Sequence, residues 1–311
     1  MKRSNYALGF AMALIGAMMF SAKAIYVKLV YRTEAIDAIS MLALRMMFAV
    51  PFYILTAIIL FRRTDNVKLT VRQWGWIAVL GFLGYYASSL LDFMGLAYIS
   101  AGLERLILFL YPTFALLIGA VGFGKKITRT QWLALLIAYG GMIVAFAGDV
   151  QQQWDPGVVT GSLLVLGCAV TYAFYIVGGG EIIPKVGSMK FTSYALCFAA
   201  VGIFLQYFVK HGTEVRHFSG HTYWLCFQMA IVSTVIPTFL TSEGIRKIGS
   251  GNTAIITSIG PVATIVQAYI FLDEPITWPQ LAGTALVLAG VLLIGKKGKE
   301  KGGEIKTSGK L

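Results

Sequence analysis

Long apolar stretches follow one another along almost the whole chain and are separated by short polar segments. About 20 consecutive apolar residues in a helix cross the hydrocarbon core of a bilayer, so each stretch predicts a transmembrane helix. The pattern predicts ten spans: Tyr6–Val30, Ala38–Phe61, Trp74–Tyr98, Ala101–Phe123, Gln131–Gly148, Val159–Gly179, Phe191–Val209, Thr222–Thr241, Thr253–Leu272 and Pro279–Ile294.

A pattern of small, polar and branched residues between positions 95 and 141 recurs 149 residues later. The residues Gly95, Ile99, Gly102, Ile107, Pro112, Ile127, Thr128, Gln131 and Gly141 return as Gly244, Ile248, Gly251, Ile256, Pro261, Ile276, Thr277, Gln280 and Gly290. Each copy holds five predicted spans, and an odd number turns the second copy upside down in the bilayer. The predicted fold is therefore an all-α integral membrane protein with ten transmembrane helices in two inverted five-helix repeats.

Composition and charge support this interpretation and set an orientation. The chain has 57% hydrophobic residues, 13% charged residues and a mean hydropathy of +0.74, which is more apolar surface than a soluble domain can bury. Nineteen of the 26 basic residues lie in the amino end, in every second loop and in the tail, whereas the alternate loops hold three. Short basic loops stay on the cytoplasmic side, so we expect a multi-pass protein of the inner or plasma membrane with both termini cytoplasmic. The scattered basic residues argue against nucleic-acid binding.

These residues resemble a known family. Ten spans in two copies, a proline within the fourth span of each copy, and the segment GLERLILFLYP at 102–112 are similar to the drug/metabolite transporter superfamily, EamA type. The resemblance covers a first repeat at 7–147 and a second at 160–294, followed by a basic cytoplasmic tail at 295–311. It implies secondary transport, most often export, of a small amphipathic metabolite such as an amino acid, without naming the substrate.

Five charged residues fall at similar depth within the predicted spans of the first copy. Ionisable groups at membrane depth are costly unless they are paired or face water, and they often mark a transport pathway. The residues are Lys23, Arg45, Asp92, Glu104 and Arg105. They carry three positive and two negative charges, so one cation has no partner among them and an anionic substrate group could supply it. The alternative is that Glu104 and Arg105 pair with Arg45 and Asp92 and serve packing alone.

The two copies differ at these positions. At the equivalent positions the second copy has Phe174 for Lys23, Thr241 for Asp92, Thr253 for Glu104 and Ala254 for Arg105. A network required only to build the fold should occur in both copies, which favours a functional role, although drift would also produce the difference. Lys23 has no obvious partner in sequence, and it must face water, a carboxylate or a substrate anion.

Helical spacing indicates which polar side chains could share a cavity with the charges. Tyr85, Ser88, Ser89 and Asp92 lie on one face of the third span, and Glu104, Leu108 and Tyr111 lie on one face of the fourth. The predicted substrate-binding or translocation residues are Lys23, Arg45, Tyr85, Ser89, Asp92, Glu104, Arg105, Tyr111, Thr171, Tyr175, Thr234, Thr257 and Gln267. The alternative for each hydroxyl or amide is a hydrogen bond to a neighbouring helix.

Two prolines occupy equivalent places in the repeats. Pro112 and Pro261 each remove a backbone donor in mid-span, and interrupted spans at corresponding positions point to the substrate site in inverted-repeat transporters. We therefore predict a hinge at each proline; a kink that serves only packing is the alternative. Small residues on one face of the fifth and tenth spans predict close helix packing, with these two spans bracing each half from the periphery.

Other classes of function receive less support. Nucleotide-binding, hydrolase and metal-binding motifs do not occur in a suitable context, so neither a cofactor nor a metal site is expected. An intramembrane enzyme acting on a lipid or another small amphipathic substrate is the alternative to a transporter. Proton coupling through Asp92 or Glu104 and simple facilitated efflux both stay open. We expect the protein to be a monomer or a weak dimer.

Overall fold

The computed structural model describes residues 2–62, 69–99, 101–146, 156–212, 217–272 and 276–300, and these residues form helices and short connections without a β-strand. In these ranges the α-helices are α1 Lys2–Thr33, α2 Ala38–Phe61, α3 Val71–Tyr98, α4 Ala101–Leu108, α5 Tyr111–Phe123, α6 Arg129–Phe146, α7 Pro156–Val186, α8 Ser188–His211, α9 Gly220–Ile248, α10 Ser250–Ile256, α11 Gly260–Leu272 and α12 Trp278–Glu300.

Seven helical segments in the described part of the chain are long and apolar enough to cross a membrane. They correspond to α1, α2, α3, α7, α8, α9 and the run Ser250–Phe271, which includes α10 and most of α11. Large apolar side chains cover much of the outer surface, such as Leu163 and Val201 at 63% and 65% exposure. Continuous apolar surface of this kind is stable against lipid and not against water. The predicted all-helical, membrane-spanning architecture is confirmed to this extent.

Several helices are interrupted near mid-length. A break at Phe109 and Leu110 separates α4 from α5, and a 3-10 turn, Thr257–Ile259, separates α10 from α11. Pro112 follows the first break and Pro261 the second, where the missing proline N–H is tolerated at the start of a helix. In addition, α3 contains a π-helical turn at Phe82–Ala87 and α9 contains one at Ile231–Val235. The predicted interruptions at both prolines are therefore present.

The main apolar core lies between α2, α3, α7 and α8. It contains the fully buried side chains of Tyr53, Phe93, Tyr175 and Phe191. Glycines bring backbones into contact there: a Cβ added at Gly81 would lie 2.2 Å from the carbonyl oxygen of Ala195, so α3 and α8 touch through their main chains. This close contact fixes the distance between α3 and α8.

The small residues of the fifth and tenth predicted spans meet each other. A Cβ added at Gly141 of α6 would lie 2.6 Å from the Gly283 carbonyl oxygen of α12, and one at Gly290 would lie 2.7 Å from that of Ala134. The prediction of close packing is confirmed. The two glycine-containing faces approach within backbone contact, so α6 and α12 pack against one another. That each of them braces its half from the periphery stays a prediction.

Candidate functional site

A cavity lies between α1, α2, α3, α7, α9 and the two interrupted helix pairs. Its empty volume is about 780 Å³, including the part that opens to solvent. The lining residues are Ala17, Phe20, Ser21, Lys23, Arg45, Gly84, Tyr85, Ser88, Ser89, Arg105, Leu108, Phe109, Tyr111, Cys168, Tyr172, Thr234, Thr241, Thr257, Gly260 and Pro261. The structure thus brings together eight of the thirteen predicted site residues and one of the two predicted hinge prolines on a single cavity wall.

Lys23 of α1 forms an ion pair with Asp92 of α3. The Lys23 Nζ to Asp92 Oδ2 distance is 2.6 Å, and the two side chains are 3% and 0% exposed. The ammonium also lies 4.8 Å from the centre of the Phe20 ring. Of the partners left open for Lys23, the structure selects a carboxylate. Asp92 itself lies behind the cavity wall and does not line it.

Glu104 and Arg105 form a second buried pair. Their Oε2 and Nε atoms are 3.0 Å apart, and an Arg105 terminal nitrogen donates to the carbonyl oxygen of Ser21 at 3.4 Å. Glu104 is fully buried, whereas Arg105 reaches the cavity. The alternative pairing of these charges with Arg45 is not formed, because each carboxylate already contacts another cation.

Arg45 of α2 is the cation that is left over. Its side chain is 2% exposed, its Nη2 donates to Ser89 Oγ at 3.1 Å, and its guanidinium lies 5.0 Å from the Phe93 ring centre. In the described part of the chain no carboxylate forms an ion pair with it, and its Nε has no hydrogen-bond partner. The positive charge without a partner that the sequence predicted therefore belongs to Arg45, beside the cavity.

Hydroxyl groups join the two halves of the chain around the cavity. Tyr111 at the start of α5 contacts Thr257 Oγ1 at 2.5 Å and donates to the Ala254 carbonyl oxygen at 3.2 Å. Tyr85 of α3 donates to the Tyr175 hydroxyl of α7 at 3.1 Å. These contacts connect α3 and α5 of the first half with α7 and the α10–α11 turn of the second, so movement of either half must rearrange them.

Aromatic rings form another part of the wall. Phe20 and Tyr172 are nearly parallel, with ring centres 6.1 Å apart, and Tyr111 meets Tyr172 edge-on at 5.3 Å. Thr234 lies within the π-helical turn of α9, with its hydroxyl donating to the Met229 carbonyl oxygen. The cavity therefore combines a cationic side, a hydroxyl side and an aromatic side.

The structure does not bring every predicted residue to the cavity. Thr171 donates to the carbonyl oxygen of Gly167 in its own helix at 2.9 Å, and Gln267 donates to that of Met18 at 2.9 Å. Tyr175, which accepts from the Tyr85 hydroxyl, and Pro112 are both buried and do not line the cavity. Thr171 and Gln267 therefore form hydrogen bonds to helix backbones, in place of the predicted contact with the cavity.

Several lining residues were not among the predicted site residues. Phe20 and Ser88 share helix faces with Lys23 and with Tyr85, so helical spacing could have included them. Tyr172 could have been added as the sequence neighbour of Thr171, and Thr241 as the repeat equivalent of Asp92. Ser21 and Cys168 carried no comparable signal, because a small residue in a span is usually packing.

The chain matches known proteins over almost its full length. The EamA-like transporter family matches residues 7–147 and 159–296. The chain is 29% identical over 281 residues to the uncharacterized transporter YcbK of Bacillus subtilis (strain 168), covering 89% of each protein. It is 24% identical over 316 residues to the uncharacterized transporter sll1319 of Synechocystis sp., covering 92% of this chain and 93% of that protein. One crystal structure covers 94% of this chain and 98% of its own, with a TM-score of 0.75 at 16% identity, and thus shares the fold.

Proposed function

Because the chain belongs to the EamA-like transporter family, a family of membrane transporters, we propose that it is a secondary transporter that exports a small amphipathic metabolite by alternating access. The metabolite is amino-acid-like or of similar size and carries an acidic group. Export follows the commonest direction implied by the resemblance.

The proposed topology is ten spans in two inverted repeats at 7–147 and 160–294, with a basic tail at 295–311. In this arrangement α4 and α5 form one interrupted span, and α10 and α11 form its counterpart. The π-helical turns support it, since Phe82 and Ile231 begin them 149 residues apart, the same separation as Pro112 and Pro261. The distribution of basic loops supports cytoplasmic termini in the inner or plasma membrane.

The observation that carries the proposal is Arg45, a buried cation on the wall of a cavity for which the described part of the chain supplies no carboxylate partner. A charge in this position costs several kcal/mol unless something neutralises it. A transported anionic group would do so during each cycle. The fixed pairs Lys23–Asp92 and Glu104–Arg105 leave this position open to a ligand.

The two helix breaks are the proposed hinges. Pro112 and Pro261 flank the contact between Tyr111 and Thr257, which joins the two interrupted spans beside the cavity. Short helices on either side of a break can tilt separately, and hinges are commonly residues at the ends of elements. Alternating access would open this contact toward one side of the membrane at a time.

The test is counterflow in proteoliposomes that contain the purified protein. Vesicles are loaded with one member of a panel of amino acids, organic acids and amines, and uptake of the same labelled compound is measured. A secondary transporter gives saturable uptake that loading accelerates, and the compound crosses chemically unchanged. Conversion of a compound without any gradient would instead identify an intramembrane enzyme. Inside-out membrane vesicles from producing cells, compared with right-side-out ones, determine the direction.

A further inference from the structure

The charges on the cavity wall distinguish between classes of substrate. Among the described residues that line the cavity, Lys23, Arg45 and Arg105 are cationic and none is acidic. The carboxylates of Asp92 and Glu104 are fully buried behind the wall and each contacts a cation. The formal charges of the five groups sum to +1, and the surface that a ligand meets is more positive still.

This arrangement disfavours a substrate ammonium group. An ammonium entering the cavity would leave water without gaining a carboxylate partner, and it would approach three cationic side chains. Hydroxyls such as those of Ser88 and Thr234 donate to carbonyl oxygens within their own helices and could still accept hydrogen bonds from it, but they carry no charge to offset the three cations. For an amino acid, the unfavourable environment of the ammonium group would therefore cancel part of the binding free energy that the carboxylate gains.

An anionic group finds the opposite environment. The guanidinium of Arg45 is planar and offers a fork of donors that fits a carboxylate, whereas an ammonium is a point charge. Ser89 holds one end of this fork in place through its hydrogen bond to Nη2. The Nε donor has no partner in the described part of the chain.

The rest of the wall fits an apolar body attached to that anion. Phe20, Tyr111 and Tyr172 present aromatic rings, and Leu108 and Pro261 present aliphatic surface. Aromatic groups favour offset or edge-on contacts with rings of this kind.

We infer that the transported substrate is an organic monoanion, an acidic group on an aromatic or otherwise apolar body, that carries no ammonium group and is bound through Arg45. This inference rests on the proposed transport function and narrows the amino-acid-like substrate to an organic acid.

Three compounds with the same ring and two-carbon chain test the charge preference: 3-phenylpropanoate, L-phenylalanine and 2-phenylethylamine. Each is tested with the wild-type protein for inhibition of labelled 3-phenylpropanoate counterflow and for a shift in melting temperature. We expect 3-phenylpropanoate to act at a concentration at least about tenfold lower than L-phenylalanine, and the amine not to act. Equal or stronger binding of the zwitterion or the amine would overturn the inference, and so would binding of none of the three. The proposed transport function would still hold if another compound of the broader panel showed counterflow.

The variant Arg45→Gln tests the residue. This variant should lose the preference for the anion, and its affinity for 3-phenylpropanoate should fall at least about tenfold. Arg62→Gln removes the same charge from an exposed position at the end of the same helix and should bind as the wild type does. An unchanged anion preference in Arg45→Gln would overturn the assignment to Arg45. If that variant does not fold, Ser89→Ala, which removes the hydroxyl that orients Arg45, should weaken binding of 3-phenylpropanoate, and unchanged binding in this variant would overturn the assignment to Arg45.

Discussion

Lys23 and Asp92 bring opposite charges within 2.6 Å of each other inside the helical bundle, where the carboxylate has no contact with solvent. The pair joins α1 to α3. A buried pair of this kind is costly to break, because the remaining charge is left without a partner. It also occupies the lysine, and Glu104 occupies Arg105, so among the described residues that line the cavity Arg45 is the cation without a carboxylate partner.

Replacing Lys23 with Met should destabilise the protein by about 3–5 kcal/mol, since it leaves the Asp92 carboxylate buried and unpaired. The double variant Lys23→Met with Asp92→Leu should regain most of that lost stability, because neither charge of the pair is then left buried without its partner. Melting temperatures of the purified wild type and of single and double variants in the same detergent measure both effects. A single variant as stable as the wild type would show that the pair does not contribute to stability.

The contact between α6 and α12 gives a matched pair of glycine substitutions. Gly141→Ala should destabilise by about 1–3 kcal/mol, since the new Cβ would lie 2.6 Å from the Gly283 carbonyl oxygen and 2.8 Å from Leu286 Cβ. Gly140→Ala, one residue earlier, meets nothing within 4 Å and should stabilise the helix by about 0.5–1 kcal/mol. Thermal unfolding of the two variants should therefore shift in opposite directions. Equal shifts would contradict the packing of these two helices.

Asp37 is expected to make stability pH-dependent at the end of the molecule where α1 connects to α2. Its carboxylate accepts from Ser40 N at 2.7 Å, capping α2, and contacts His211 Nε2 at 2.9 Å and Lys210 Nζ at 3.6 Å. Partial burial raises the pKa of Asp37, but the Ser40 N–H and the charges of Lys210 and His211 outweigh it, so the net pKa is lowered. A lowered pKa means that the carboxylate contributes fully above the unfolded value of about 4 and that this contribution is lost as the pH falls through the folded value.

Asp37→Ala should cost about 0.5–2 kcal/mol at neutral pH through loss of the cap. Asp37→Asn retains a capping oxygen and removes the charge, so it should lose less and should lack part of the acid-dependent loss below pH 4 or so. Glu34 contributes in the same direction, since hydrogen bonds from Ser219 and Thr222 lower its pKa. Melting curves of the three proteins at several pH values separate the cap from the charge. A wild type and an asparagine variant with the same acid profile would contradict the role of Asp37.

The proposed orientation predicts which side of the membrane each connection reaches. With the native cysteines replaced, a cysteine at Arg62 or Lys126 should react with an impermeant thiol reagent only from the cytoplasmic side. A cysteine at Ala35 should react only from outside. All three positions are exposed in the structure. Labelling of Ala35→Cys from the cytoplasm would reverse the topology, and labelling of all three from one side would contradict the alternation of loops.

The internal repeat, the apolar spans and the residues charged at membrane depth could all be derived from the sequence. They depend on order along the chain: hydropathy is summed over a window, and a repeat is found by shifting the chain against itself. The helix breaks could also be derived from the sequence, because Pro112 and Pro261 cannot supply a backbone hydrogen-bond donor in any fold. So could the conclusion that one cation among five charged residues lacks a partner.

Which cation that is was decided only by the tertiary structure. Lys23, Arg45 and Arg105 lie on three different helices, and their pairing depends on how those helices rotate and how closely they approach. The same applies to Thr171 and Gln267, whose side chains turn to backbone carbonyls instead of the cavity. The contact of α6 with α12 was likewise decided by the tertiary structure. Helical spacing tells which residues share a face, but the direction of that face is determined by packing against the other helices.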